Sequence, residues 1–178
     1  MTNRDGSLYS FFRELPVLLV SAVLIAFVLK VYVVQPFWIP TPSMVPTLMP
    51  DDRVLALKFI YRFTDPKPGD IVVFIPPNEK SKDYIKRVVA VGGQRIKIVD
   101  GVVYVNGKPL AEPYLSPDSA DSGSMAEQRI PPGKVFVMGD NRPNSLDSRV
   151  FGPVSVDAIV GKAVVIYWPL DRIRLLGE

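Results

Sequence analysis

Cysteine and histidine are both absent from this 178-residue chain. The first absence removes disulfides, thiolate metal sites and a cysteine nucleophile, and by itself assigns no redox compartment. The second is more restrictive, because imidazole is the usual general base or metal ligand of hydrolases. Hydrolysis here has to run without it, and zinc-type hydrolysis lacks its ligands. The S-x-x-K and G-x-S-x-G nucleophile patterns are missing as well. A net charge of +3 is modest. Its lysines and arginines are scattered without a basic stripe, which argues against nucleic acid as a partner.

Long apolar runs are also scarce, with one exception. Leu15 to Val34, LPVLLVSAVLIAFVLKVYVV, holds 20 residues and a single charge. As a helix it reaches roughly 30 Å, the thickness of a bilayer core. It is too long for a buried core helix, and it lacks the short apolar stretch and small-residue cleavage site of a removable export signal. The sequence therefore predicts residues 1–14 as a short cytoplasmic N-terminus, 15–34 as a transmembrane helix and 35–178 as one extracytoplasmic domain. Lys30 and Trp38 suit the interface at the exit side. Arg4 and Arg13 favour a cytoplasmic N-terminus, acidic neighbours counting for less.

After Pro50 the apolar residues come in short β-branched and aromatic runs: RVLALKFI, DIVVFI, YIKRVVAV, RIKIV, VVYVNG, KVFVM and GKAVVIYW. Asp100-Gly101 and Asn106-Gly107 suit tight primed turns. The fold class is all-β and mostly antiparallel. Glu112 to Gly133, rich in Ser, Asp and Pro, reads as an exposed excursion away from the chemistry.

Three segments carry candidate chemistry. In Ile39-Pro40-Thr41-Pro42-Ser43-Met44-Val45-Pro46, prolines hold an extended backbone around a serine. The Ser43 amide and Thr41 hydroxyl suit an oxyanion, although the segment reads equally as a proline-rich spacer. A serine nucleophile without histidine needs a neutral lysine or a carboxylate as base. In Tyr84-Ile85-Lys86-Arg87-Val88-Val89-Ala90-Val91, alternation sets Lys86 beside Tyr84, Val88 and Ala90, and Arg87 beside Ile85, Val89 and Val91. Both faces are apolar. Chemistry selects Lys86, since a desolvated ammonium deprotonates and a guanidinium does not. A strand-edge lysine with its head in water is the commoner arrangement, and Lys58, Lys97 and Lys162 also lie near strands. Third comes Gly139-Asp140-Asn141-Arg142-Pro143-Asn144-Ser145-Leu146-Asp147-Ser148-Arg149, a polar loop leaving an apolar strand. If extended, it puts Ser145, Asp147 and Arg149 on one face; an Asn/Asp-rich surface turn is the alternative.

PSMVPTL, YIKRVVAVGG and GDNRPNSLDSR, in this order behind one apolar run, resemble the bacterial type I signal peptidases in their compact, single-anchor form. The resemblance implies Ser43 as nucleophile, Lys86 as general base, Thr41 and the Ser43 amide as oxyanion hole, and Ser145 as the residue orienting the lysine. Asp147 and Arg149 would brace that wall, and Ile39, Met44 and Tyr84 would contact substrate. It further implies two antiparallel sheets near a membrane surface, no cofactor, a lipid bilayer as surrounding, and secretory preproteins with small-x-small cleavage sites as substrates. The membrane would be the bacterial cytoplasmic one, or the thylakoid in a photosynthetic organism. Pro42, where glycine is also usual, and Gly93-Gln94 depart from the family pattern without touching the chemistry.

Rival readings are a self-cleaving Ser/Lys protein of the SOS-repressor type, which this chain opposes by lacking a helix-turn-helix, and a non-enzymatic membrane-tethered β module that binds export partners. An Asp70/Asp140 dyad is conceivable, but each Asp follows a glycine at a strand boundary and reads as turn chemistry. Ser124-Met125 repeats Ser43-Met44 in a flexible polar setting without the prolines.

Overall fold

The computed structural model describes residues 5–28 and 33–177. Helix α1 covers Asp5–Val28. Residues 29–32 of the predicted membrane run, Lys30 included, lie outside the described residues, and Val34 is already the first residue of strand β1 (Val34–Trp38). Among the described residues no helix is long and apolar enough to cross a membrane.

The rest is β, as the apolar runs predict. In chain order the further strands are β2 (Arg53–Leu57), β3 (Ile71–Phe74), β4 (Tyr84–Val91), β5 (Arg95–Val99), β6 (Val102–Val105), β7 (Lys108–Pro109), β8 (Met125–Arg129), β9 (Lys134–Met138), β10 (Val154–Ser155), β11 (Ile159–Trp168) and β12 (Arg174–Leu175). One sheet runs β1-β2-β11-β3-β4-β9-β10, with β12 on β11; the second runs β7-β6-β5-β8. Every pairing is antiparallel. Both predicted primed turns form: Asp100 and Gly101 have φ of 47° and 80°, Asn106 and Gly107 of 52° and 78°, the left-handed values such turns require.

Strands without an apolar rhythm escaped the sequence reading. β1 carries Pro36, which only an edge position tolerates, and β1 is indeed an edge. β8 is MAEQR, mostly exposed and held by its ladder with β5. This corrects the expectation of a structureless excursion from Glu112 to Gly133, and Ser124-Met125 sits at the start of a strand.

Three clusters form the core. Ile39, Met44 and Leu48 pack with Val54, Ile71 and Ile166 on one face of the large sheet, while Val72, Phe74, Val88 and Val137 pack on the other. The third, with Ile96, Ile98, Val103, Phe136 and Met138, joins the two sheets. Central strands covered on both faces explain why alternation could not distinguish Lys86 from Arg87. The pairing of β4 with β9 shifts register between Val88 and Ala90. This bulge puts Ala90 with Val89 in the joining cluster, rather than in sequence with Lys86 and Val88.

Candidate active site

Ser43 lies in a single 3-10 turn, Pro42–Met44, between the extended residues Thr41 (φ −126°, ψ 152°) and Val45 (φ −63°, ψ 136°). The expected extended backbone thus holds for the flanks and breaks at the serine. Pro42 opens the turn, where its fixed φ fits and its missing N–H costs nothing. The Val45 N–H closes the turn on the Pro42 carbonyl at 3.1 Å. The turn is pinned from below by Met44, which is 0% exposed in the core with Ile39 and Leu48. Met44 therefore does not line the substrate cleft, correcting that expectation: a 3-10 turn sends adjacent side chains in different directions, so Met44 points inward beside a serine that faces the cleft.

Lys86, in β4, is 4% exposed. Its Nζ donates to Ser43 Oγ at 2.7 Å and to the Ile85 carbonyl at 2.9 Å, and lies 5.7 Å from the centre of the Tyr84 ring. Burial lowers its pKa from 10.5 to about 8, against the opposing pull of the Asp147 and Asp140 carboxylates. The Thr41 hydroxyl lies 3.4 Å from Ser43 Oγ. The other lysines near strands are engaged elsewhere: Lys97 lies over Tyr104, and Lys162 pairs with Asp70. Lys58, just past β2, places its N–H on the Val33 carbonyl.

The loop after β9 forms the opposite wall. Asp147 caps the short helix α2 (Ser148–Phe151) by accepting from the Arg149 N–H, and its carboxylate also takes the Arg149 guanidinium at 2.9 Å and the Gly139 N–H at 3.0 Å. The Asp147–Arg149 pair is therefore present, but built on a helix cap rather than an extended face. Asn141 donates its backbone N–H to the Ser43 carbonyl at 3.1 Å and its side-chain amide to the Pro42 carbonyl at 3.1 Å. Gly139 permits this approach. A Cβ there would stand 2.4 Å from the Ser43 carbonyl oxygen and 2.3 Å from Ser145 Oγ. Ser145 is not brought to Lys86 by a hydrogen bond; its Oγ is buried without a partner among the described residues.

Several supporting residues escaped the sequence reading. Arg87 donates to both oxygens of the buried Asp140 at 2.9 and 2.7 Å, and the Thr47 hydroxyl donates to the same carboxylate. Glu112 pairs with Arg142, and Asp121 with Arg149 at 2.8 Å. Asp70 and Asp140 share no partner, Asp70 accepting from Tyr61 and the Lys67 N–H, so no carboxylate dyad forms. The Glu112 and Asp121 partners lie 30 and 28 residues away along the chain, and no local pattern announces them.

A cleft of about 470 Å³ opens over Ser43 and Lys86. Ile39 and Tyr84 are among its lining residues, and Phe37, Val73, Ile85 and Leu146 add to its apolar wall. Trp38, expected as a membrane anchor, also reaches its rim while its Nε1 donates to Asp51 at 3.0 Å.

The family model described as "Signal peptidase, peptidase S26" matches residues 12–168. The chain is 40% identical to the probable signal peptidase I-1 of Synechocystis, covering 96% of this chain and 89% of that protein. It is 36% identical to signal peptidase I T of Bacillus subtilis, covering 88% and 85%. A signal peptidase I from Enterococcus faecalis has a crystal structure similar at 29% identity and a TM-score of 0.49, over 56% of this chain and 97% of that one. With a family match across nearly the whole length and relatives this similar, the chain belongs to the signal peptidase family, peptidase S26, as a serine hydrolase of type I.

Proposed function

We propose that the chain is a membrane-anchored endopeptidase that removes signal peptides from exported preproteins with Ser43 and Lys86 as a catalytic pair. The observation that carries the reading is the 2.7 Å contact between Lys86 Nζ and Ser43 Oγ in a buried setting that lowers the lysine's pKa to about 8. In the reactive form Lys86 is neutral and the contact reverses, the Ser43 hydroxyl donating to Nζ. Ser43 Oγ attacks the scissile carbonyl while Lys86 takes its proton. The Thr41 hydroxyl and the Ser43 N–H receive the oxyanion, and Lys86 returns the proton to the departing amine. Water, deprotonated by the same lysine, then releases the signal peptide from Ser43.

The cleft wall of Phe37, Ile39 and Ile85 offers apolar contact to the residues before the cut, in keeping with the small, apolar side chains that the family resemblance implies there. Anchoring is supported by the apolar run 15–34 and by α1, where the successive residues Val17, Leu18, Leu19 and Val20 are 58–69% exposed. Four consecutive positions cover the whole circumference of a helix, so no face of this stretch is buried in the protein and an apolar surrounding has to supply the contact. The N-terminus then lies in the cytoplasm, and the β domain acts on the outer face of the bacterial membrane or, in a photosynthetic cell, of the thylakoid.

The test is cleavage of a secretory preprotein by detergent-solubilised wild type, Ser43→Ala and Lys86→Ala, with the product's N-terminus sequenced. Both substitutions are expected to abolish cleavage after a small-x-small site. Unchanged cleavage in either variant would sink the Ser/Lys pair, and no cleavage by wild type of several preproteins would favour a tethered binding module.

A further inference from the structure

We propose that Glu112 and Tyr114, in the polar segment between β7 and β8, are positioning residues that hold the two walls of the catalytic centre in register. The inference rests on the Ser43/Lys86 reading. Glu112 is only 9% exposed at its side chain and Arg142 2%, so their ion pair is an interior contact rather than a solvated one. Arg142 donates from Nε to the Gly139 carbonyl at 3.0 Å. Its own carbonyl accepts from Arg149 at 2.6 Å. Glu112 thereby fastens the loop whose Asn141 and Gly139 contact the Ser43 turn.

Tyr114 carries the second arm. Its hydroxyl donates to Glu112 at 2.8 Å, and its ring lies under Arg87 with 3.8 Å between the guanidinium carbon and the ring centre. Arg87 is next to Lys86 in β4. Held flat on the ring, its guanidinium meets Asp140 with two parallel bonds and reaches Thr47, on the nucleophile's own loop, at 3.2 Å. One carboxylate therefore links the general-base strand, the nucleophile loop and the opposite wall. A segment with no catalytic group of its own sets the alignment of the nucleophile loop and the base strand against that wall.

The arrangement also reaches the lysine's charge. The groups around Lys86 are Ser43 from the nucleophile loop, Tyr84 and the Ile85 carbonyl from its own strand, and, acting through their charge, the carboxylates of Asp140 and Asp147 from the loop after β9. Arg87 and Arg149 balance those two carboxylates. An Arg87 freed from the ring compensates Asp140 less well, and the uncompensated carboxylate stabilises the ammonium form of Lys86.

The experiment measures steady-state cleavage of a signal-peptide substrate from pH 6 to about pH 10 by full-length wild type, Tyr114→Leu, Tyr114→Phe, Glu112→Gln and Ser43→Ala. Tyr114→Leu is expected to lower kcat on the order of tenfold with KM within about twofold, and to move the acid limb up by roughly half a pH unit. Part of that loss then returns at alkaline pH, which a misfolded enzyme does not show. Tyr114→Phe keeps the ring under Arg87 but loses the bond to Glu112, and its kcat is expected to fall between those of wild type and Tyr114→Leu. Wild-type kcat and acid limb in Tyr114→Leu overturn the inference, as does a Tyr114→Phe as impaired as Tyr114→Leu. Should Tyr114→Leu not fold, Glu112→Gln decides: a several-fold loss of kcat at wild-type KM supports the role, and wild-type kcat overturns it. Residual cleavage by Ser43→Ala removes the underlying Ser/Lys reading, whereas an inactive Ser43→Ala beside a fully active Tyr114→Leu removes the positioning role alone.

Discussion

Lys86 is costly to the fold for the same reason it is useful to the chemistry. Burial lowers its pKa from 10.5 to about 8, so between those values the unfolded chain binds the proton and the native chain does not. Stability therefore rises with pH across that window. Below pH 8 the full penalty stands at roughly 3 kcal/mol, since each tenfold loss of proton affinity on folding is worth about 1.4 kcal/mol. Lys86→Met is expected to be more stable than wild type by up to this amount at neutral pH, with the advantage fading towards pH 10.5; chemical denaturation at pH 7 and at alkaline pH measures both. Activity is expected to follow the same ionisation in the same direction, rising through an apparent pKa near 8 as the lysine loses its proton. A pH–rate profile that falls steadily from pH 6 to about pH 9 would contradict the neutral-lysine base. Ser43 and Lys86 stood out as candidates because the lack of histidine left so few bases, but only the resemblance of the three motifs joined them into a pair. The substrate contact expected of Met44 came from the family resemblance alone, and the 3-10 turn instead buries that side chain in the core beside Ser43.

Among the elements, the close crossing of the nucleophile turn and the loop after β9 is the most demanding. Gly139→Ala would drive a methyl group against Ser145 Oγ and the Ser43 carbonyl, both of which would lie under 2.5 Å away. Overpacking of this kind costs about 1–3 kcal/mol, and a shift of the serine by even part of an ångström is expected to lower kcat by on the order of 10²-fold. Thermal melting and cleavage rate of this variant measure the two effects separately; a fully active Gly139→Ala would show that the turn has room to yield. The long apolar strands and both primed turns could be read from the sequence because each announces itself within a few residues. The edge strands could not. β1 is interrupted by Pro36 and β8 runs Glu, Gln, Arg after its first two residues, so their strand character comes from neighbours supplied by distant parts of the chain. Glu112, Tyr114 and Asp121 went unread for the same reason: the arginines they meet, Arg142, Arg87 and Arg149, are 27 or more residues away, in contacts that exist only after folding.

On the scale of the whole molecule, the proposed anchoring makes a prediction about where the protein partitions. The full chain expressed in cells is expected to remain in the membrane pellet through an alkaline carbonate wash, and its release by that wash would contradict anchoring by the run 15–34. The β domain has its own logic of assembly. β11 sits in the middle of the large sheet, between β2 and β3, although it is the last long strand in the sequence. Just beyond it, Arg172 grips Asp52 with two bonds of 2.8 and 2.9 Å, and the same carboxylate accepts the Met49 N–H at the end of the Ser43 loop. The loop that carries Ser43 is thus braced by a residue 120 positions away from Asp52. During synthesis that brace cannot form until the ribosome has passed Arg172, so a chain stalled short of it holds the Ser43 loop by fewer contacts than the finished domain does.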